Sequence, residues 1–207
     1  MKRIIAATSI SLGSALLGLL GLYCALVAVN RTLHLPESIP ASQRRYKKSL
    51  ERYTLPSVTL VNQDGIKVPI QKLDDSKRLV VVNFIYTGCT ALSFELVSGY
   101  TNLQQELGPR CQDVWLVSIT IDPENDTPKE TKDYLKRFRA KPGWDVLTGK
   151  REDIDKVLNA FAAHMPNKAA HYPLTFFRSP KDGAWVRIQG LMGPSEFLDE
   201  CHQAETR

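Results

Sequence analysis

Cys89 stands between a predicted strand and the start of a predicted helix, a position that can make a thiol reactive. Cys89 follows the apolar, β-branched run Leu79–Ile85, which predicts a central strand buried on both faces. Apolar residues then recur at helical spacing, which predicts a helix from about Ser93 to Leu107. A helix N-terminus stabilises anions, so a Cys89 thiolate with a lowered pKa is expected, although a buried inert cysteine is the alternative.

Carboxylates cluster in a second candidate site, between Asp122 and Pro128. They could line a metal loop. However, Thr127, Pro128 and Glu130 combine an N-cap, a first-turn proline and a capping-box glutamate. We therefore interpret this stretch as a turn that leads into a capped helix.

The elements around these residues alternate between strand and helix. After the first strand and helix, the patterns predict a strand, two helices, a hairpin and a last helix: Val114–Ile121, a helix from Pro128, a helical stripe over 154–161, strands Pro173–Phe177 and Ala184–Ile188, and Ser195–Ala204. A further hairpin over 58–68 precedes the first strand. This order predicts an α/β domain with a largely parallel sheet, arranged as in a thioredoxin-like fold.

Composition and charge exclude several classes of protein. The 207 residues, 43% hydrophobic and 24% charged, are typical of a globular chain. The net charge of +5 is concentrated near the N-terminus, because residues 53–207 hold 19 of the 27 basic and 20 of the 22 acidic side chains. The body is therefore not basic, and we expect no nucleic-acid partner.

The N-terminal region predicts a membrane anchor. Residues 4–29 contain no charge over 26 positions, whereas roughly 20 apolar residues span a bilayer. A cleavable signal peptide is the alternative, but its apolar part is normally only about 7–15 residues long. We predict an anchor over 1–30, a basic juxtamembrane linker over 31–52, which could lie on anionic headgroups or be merely solvated, and a folded domain over 53–207.

Several motifs then occur in a fixed order: Phe84-Ile-Tyr-Thr-Gly-Cys89, Ser118-Ile-Thr-Ile-Asp-Pro-Glu-Asn-Asp-Thr-Pro128, Trp144-Asp-Val-Leu-Thr-Gly149, and His171 ahead of a Leu-Thr-Phe-Phe strand. Together they resemble the Sco/SenC family. The resemblance implies a thioredoxin-like domain tethered by one transmembrane helix, which faces the periplasm or the mitochondrial intermembrane space. It implies delivery of copper or reducing equivalents to cytochrome c oxidase, or work with another respiratory membrane complex.

The resemblance also implies a site, and this chain departs from it. The family motif is Cys-x-x-x-Cys-Pro with a distant histidine, and Cys89 and His171 match its first cysteine and its histidine. Ser93 and Phe94 stand at the places of the second cysteine and the proline. Without a second thiolate, dithiol–disulfide exchange within one chain is excluded, so we expect no enzymatic activity of that kind. Thiolate and imidazole would still suit Cu(I), whereas a serine hydroxyl is a poor ligand.

Other residues could complete or supplement this site. His164 and Met165 could add ligands, or could simply end a helix and fill the core. Cys111 and Cys201 could pair as a disulfide in an oxidising compartment, although sequence does not establish connectivity.

Three hypotheses follow. The first is a membrane-anchored Sco-like protein of cytochrome c oxidase assembly with Cys89 and His171 as a reduced copper site. The second is a non-metallated assembly factor or accessory subunit that kept the fold. The third, a one-cysteine peroxidase, ranks lowest because no second cysteine is placed to resolve a sulfenic acid. The expectation that the domain is exported across an inner membrane rests on the resemblance alone. The count of basic residues on either side of the apolar segment favours the opposite topology.

Overall fold

The computed structural model describes residues 45–89, 92–164 and 172–207, and no side-chain detail is given for 92–95, 111 and 112. The predicted mixed α/β architecture is confirmed. Its strands are β1 (Tyr46–Glu51), β2 (Thr59–Val61), β3 (Lys67–Pro69), β4 (Leu79–Ile85), β5 (Val114–Thr120), β6 (Trp144–Leu147), β7 (Leu174–Arg178) and β8 (Trp185–Gly190). Its helices are α1 (Leu92–Leu107), α2 (Pro128–Arg137), α3 (Arg151–Ala160) and α4 (Pro194–Thr206), and short 3₁₀ turns cover Ile70–Leu73 and Gly108–Asp113.

The sheet is built around β4, whose seven residues are all buried. Six strands follow the order β1-β8-β7-β4-β5-β6. Strands β4, β5 and β6 run parallel, as expected from strand–helix alternation. The sheet is mixed, however, and not largely parallel as predicted, because β7, β8 and β1 pair antiparallel. The carboxyl ends of the parallel strands therefore lie at one edge of the sheet, and Cys89 follows β4 at that edge.

Helices cover the sheet on both faces. Helices α1, α2 and α4 pack on the face that we call the α1 face, whereas α3 and the β2–β3 hairpin pack on the opposite α3 face. The predicted start of α2 is confirmed, because Pro128 begins the helix and the Thr127 hydroxyl accepts a hydrogen bond from the Glu130 N–H.

The predicted linker over 31–52 needs a correction. Within it, Tyr46–Glu51 form β1, which pairs antiparallel with β8 over its whole length. The Lys48 ammonium and the Tyr46 hydroxyl both donate to the Glu200 carboxylate on α4. At Gly190, a Cβ would lie 2.7 Å from the Arg45 carbonyl oxygen, so this close approach requires glycine. Residues 46–51 of the predicted linker are therefore an edge strand.

No helix in the described ranges has the length and apolarity needed to span a bilayer. The predicted anchor over 1–30 lies outside those ranges.

Candidate functional site

Cys89 lies in the short connection between β4 and α1, as predicted. The strand ends at Ile85, the helix begins at Leu92, and Cys89 is half-buried between them. The Cys89 N–H donates to the Tyr86 carbonyl at 3.1 Å, which closes a turn. Tyr86 in turn packs against the core of the α3 face. The thiol therefore belongs to a tightly folded loop at the carboxyl end of the central strand.

Thr87, two residues before Cys89, is bound by residues at both ends of α2. Its N–H donates to both Asp126 carboxylate oxygens at 3.2 Å, and its hydroxyl donates to Oδ1 at 2.5 Å. The Arg137 guanidinium donates to the Thr87 carbonyl at 3.2 Å. The backbone of the Cys89 loop is thus fixed by hydrogen bonds on both sides of the Thr87 residue.

Asp126 also connects this loop to the sheet. Its side chain is 1% exposed, and the Thr120 hydroxyl of β5 donates to Oδ2. The turn and the capped helix predicted from the sequence are confirmed here, whereas the contact of Asp126 with the Cys89 loop was not predicted. The one hint in the sequence was the Asp126 carboxylate, which stands beside the N-cap residue Thr127 but is not needed to cap the helix.

Several predicted site residues lie beyond what the structure describes. His171, Met165 and the side chains of Ser93 and Cys111 are among them, so their roles stay predictions. His164 is exposed beyond the end of α3.

Cys201 is a buried thiol on α4 that packs in the core of the α1 face. Burial, assisted by the Glu205 and Glu200 carboxylates, raises the pKa of this thiol well above its usual range. A pairing of Cys201 with Cys111 remains a prediction.

Metal-binding capacity in the described residues is small. They contain no group of three or more His, Cys, Asp or Glu side chains that could hold an ion. Asp126 is occupied by the donors of Thr87 and Thr120. The loop therefore supplies one soft ligand, the Cys89 thiolate, which suits Cu(I) better than hard cations. The residues present fit a copper ion only if an imidazole approaches from elsewhere in the chain.

A row of polar side chains crosses the sheet below α1. Asn83 of β4 lies opposite Ser118 of β5 and Thr175 of β7 in the strand register, and all three are buried. The Ser118 hydroxyl accepts from the Trp144 indole N–H at 3.0 Å. In the part of the chain that the structure describes, neither polar atom of the Asn83 amide has a hydrogen-bond partner. The central strand therefore carries a polar group that its own neighbours do not satisfy.

Comparison with known proteins supports the resemblance on which the site rests. Residues 47–177 match the SCO1/SenC family. A SCO1 protein homolog of Bacillus subtilis is 34% identical over 98 residues, or 47% of this chain and 50% of that protein. A SCO2-like protein of Rickettsia typhi is 31% identical over 102 residues, or 49% of this chain and 48% of that protein. The match thus spans about half the length of each relative.

Solved structures agree with the fold. BsSco, described as a member of the Sco family of cytochrome c oxidase assembly proteins, is 26% identical with a TM-score of 0.63, covering 77% of this chain and 96% of that chain. Copper-bound ScoI of Bradyrhizobium japonicum is 24% identical with a TM-score of 0.57, covering 70% of this chain and 94% of that chain. This second likeness supports the fold alone. The described domain has the thioredoxin-like fold of the Sco proteins.

Proposed function

Because the chain belongs to the SCO1/SenC family, we propose that it works in the assembly of cytochrome c oxidase and holds Cu(I) between the Cys89 thiolate and the His171 imidazole. The observation that carries this proposal is the place of Cys89, half-buried in the closed turn between β4 and α1. BsSco, which shares the fold, is described as belonging to a family of cytochrome c oxidase assembly proteins. In this proposal copper is the cargo that the protein carries.

The chemistry of the donors limits how copper would be held. A thiolate and an imidazole are soft and borderline ligands that suit Cu(I), and two of them give a nearly linear site. With Ser93 in place of a second cysteine, the chain has no partner sulfur four residues after Cys89. Such a site would release its ion readily, as delivery to another protein requires.

The decisive experiment is a Cu(I) competition titration of the reduced full-length chain under anaerobic conditions. We expect about one equivalent of copper, held at least about tenfold more weakly by Cys89→Ala and by His171→Ala, a loss of about 1.4 kcal/mol for each. His202→Ala is the matched control, because this histidine is exposed on α4. A wild-type chain that takes up no copper, or variants that both bind copper with the wild-type affinity, would contradict the proposal.

A non-metallated assembly factor is the second candidate. Ser93 at the place of the second cysteine and Phe94 at the place of the proline favour it. It predicts that a chain with Cys89→Ala still migrates with a larger complex on native gels after mild detergent extraction. Migration as a lone monomer, with or without Cys89, counts against it.

We further propose that residues 4–29 anchor the chain in an inner membrane, with the folded domain in the periplasm or, in a eukaryote, the intermembrane space. The support is the uncharged length of this segment together with the family resemblance. Alkaline phosphatase and fluorescent-protein fusions after Arg207 test it. Phosphatase activity is expected, whereas fluorescence of the fusion in the cytoplasm would show that the domain has the opposite topology.

A further inference from the structure

We infer that Asp126 is a positioning residue for Cys89, acting through Thr87; this inference rests on the proposed function of the Cys89 site. The Asp126 carboxylate accepts hydrogen bonds from the Thr87 N–H and from the Thr87 hydroxyl. A hydrogen bond to an ionised carboxylate is roughly twice as strong as one between neutral groups. The loop is therefore held to Asp126 by a backbone and a side-chain hydrogen bond made two residues before the thiol.

The carboxylate is itself held in place, so it can transmit position rather than merely satisfy donors. Thr120, the last residue of β5, donates to Oδ2 from the sheet. The Asp122 N–H donates to the same Thr120 hydroxyl at 2.9 Å, which fixes the turn that carries Asp126. Because Asp126 is 1% exposed, water does not compete for these bonds. Asp126 thus joins the end of β5 to the Cys89 loop by hydrogen bonds, so that the loop is held in a fixed position relative to the sheet.

The other side of Thr87 is fixed as well. Arg137, the last residue of α2, donates to the Thr87 carbonyl. With its N–H and its C=O both bound, Thr87 has little freedom to change its backbone dihedrals. Gly88 follows immediately, and glycine alone would leave the direction of the chain open. The bonds to Thr87 and the turn from Cys89 to Tyr86 therefore set where the thiol points.

This arrangement matters more in a site with one thiolate than in a site with two. A pair of thiolates can close on a metal ion and order the loop as they bind. A single thiolate gives no such closure, so the ordering has to be present before the ion arrives. Preorganisation of this kind raises affinity because less conformational freedom is lost on binding.

The rate at which Cys89 is alkylated in the reduced, copper-free, full-length chain tests the inference. Peptide-resolved mass spectrometry with iodoacetamide separates Cys89 from the other cysteines. We expect Thr87→Val and Asp126→Asn each to raise the rate about tenfold, because Thr87→Val removes the hydroxyl bond to Asp126 and Asp126→Asn replaces one of the two acceptor oxygens that hold the loop closed. Thr87→Ser keeps the hydroxyl and should keep the wild-type rate.

Two control variants separate positioning from general destabilisation. Asp133→Asn removes a carboxylate on α2, the helix that follows Asp126, where it pairs with Lys129 and Lys136 at the surface. Thr101→Val removes a hydroxyl that donates to the Val97 and Ser98 carbonyls within α1. In both controls Cys89 should be alkylated at the wild-type rate. It should also keep that rate when denaturant is added until the free energy of unfolding of each control equals that of Thr87→Val.

Wild-type alkylation rates in folded Thr87→Val and Asp126→Asn would overturn the inference, and so would a Thr87→Ser rate as high as that of Thr87→Val. If Asp126→Asn fails to fold, the comparison of Thr87→Val with Thr87→Ser alone tests the inference. Cu(I) affinity is measured on the same proteins and should fall about tenfold in Thr87→Val. A wild-type chain that binds no copper defeats the proposed function, while the alkylation rates still judge the role of Asp126.

Discussion

The two faces of the sheet are built differently, and β4 shows the difference in two consecutive residues. Phe84 points into the α3 face, whose core includes Val80 and Val82 from the same strand. Asn83 points into the α1 face, between Ser118 and Thr175 of the neighbouring strands. On the α3 face, every buried position of β4 and β5 is apolar, whereas on the α1 face a polar row crosses the middle of the sheet.

The difference follows the position of the site. Helix α1, which starts beside the Cys89 loop, packs on the face that carries Asn83. A buried polar group without a partner destabilises a fold. The α3 face compensates with a cluster of aromatic rings in edge and tilted contacts: Tyr53, Phe84, Phe161, Phe176 and Trp185. Among the described residues, the α3 face therefore holds the larger connected group of aromatic rings, and the α1 face holds the polar row of β4, β5 and β7.

The largest expected effect comes from removing the centre of the aromatic cluster. Phe161→Ala should lower the free energy of unfolding by about 3–5 kcal/mol, because a fully buried ring leaves a cavity. Phe197→Ala is the comparison on the α1 face, where the ring contacts Tyr100 and Phe177. Its loss should be smaller by about 2 kcal/mol, because among the described residues Phe197 makes two ring contacts where Phe161 makes four, and each pair contributes about 1 kcal/mol. Denaturant titration measures both, and equal losses would break the asymmetry.

The second effect concerns β1, the strand that read as a linker. Lys48→Met removes the ammonium partner of Glu200, whose side chain is only 2% exposed. Breaking a fully buried pair lowers stability by about 3–5 kcal/mol, and partial exposure of Lys48 reduces the expected loss to about 2 kcal/mol. The double variant Lys48→Met with Glu200→Leu should recover most of it. If 46–51 were a linker, the single substitution would leave the unfolding midpoint unchanged.

The central elements could be predicted from sequence because local signals determine them. The β-branched run of β4, the helical spacing in α1 and the Thr127–Pro128 start of α2 each signal one structure. Strand β1 gave no such signal, because Lys47 and Lys48 dominate its composition and its pairing with β8 joins residues far apart in the chain. The contact of Asp126 with Thr87 likewise depends on tertiary burial, which no local pattern reports. The match of Cys89 to a family motif identified the loop but not what holds it.

The third prediction tests the polar row directly. Asn83→Val should raise the free energy of unfolding by about 1–2 kcal/mol, because it removes a buried amide that no described residue satisfies and adds a β-branched residue to a central strand. Val82→Asn places the same amide on the α3 face and should lower stability. Thermal and denaturant unfolding decide the sign. A loss of stability in Asn83→Val would show that its amide is satisfied, and the contrast between faces would disappear.

The smallest effect tests whether the α1 face is dry away from that row. Cys201 packs there, and its burial keeps the pKa of the thiol well above the usual range. In the unfolded chain the thiol ionises above its ordinary pKa of about 8.5, while in the folded chain it stays neutral. The contribution of Cys201 to stability is therefore complete below that pH and is lost as pH rises toward the folded pKa. Under reducing conditions, the stability difference between wild type and Cys201→Ala should fall by about 0.5 kcal/mol between about pH 8 and about pH 9. A difference that is constant with pH would mean that solvent reaches this thiol, and that the α1 face is polar beyond Asn83.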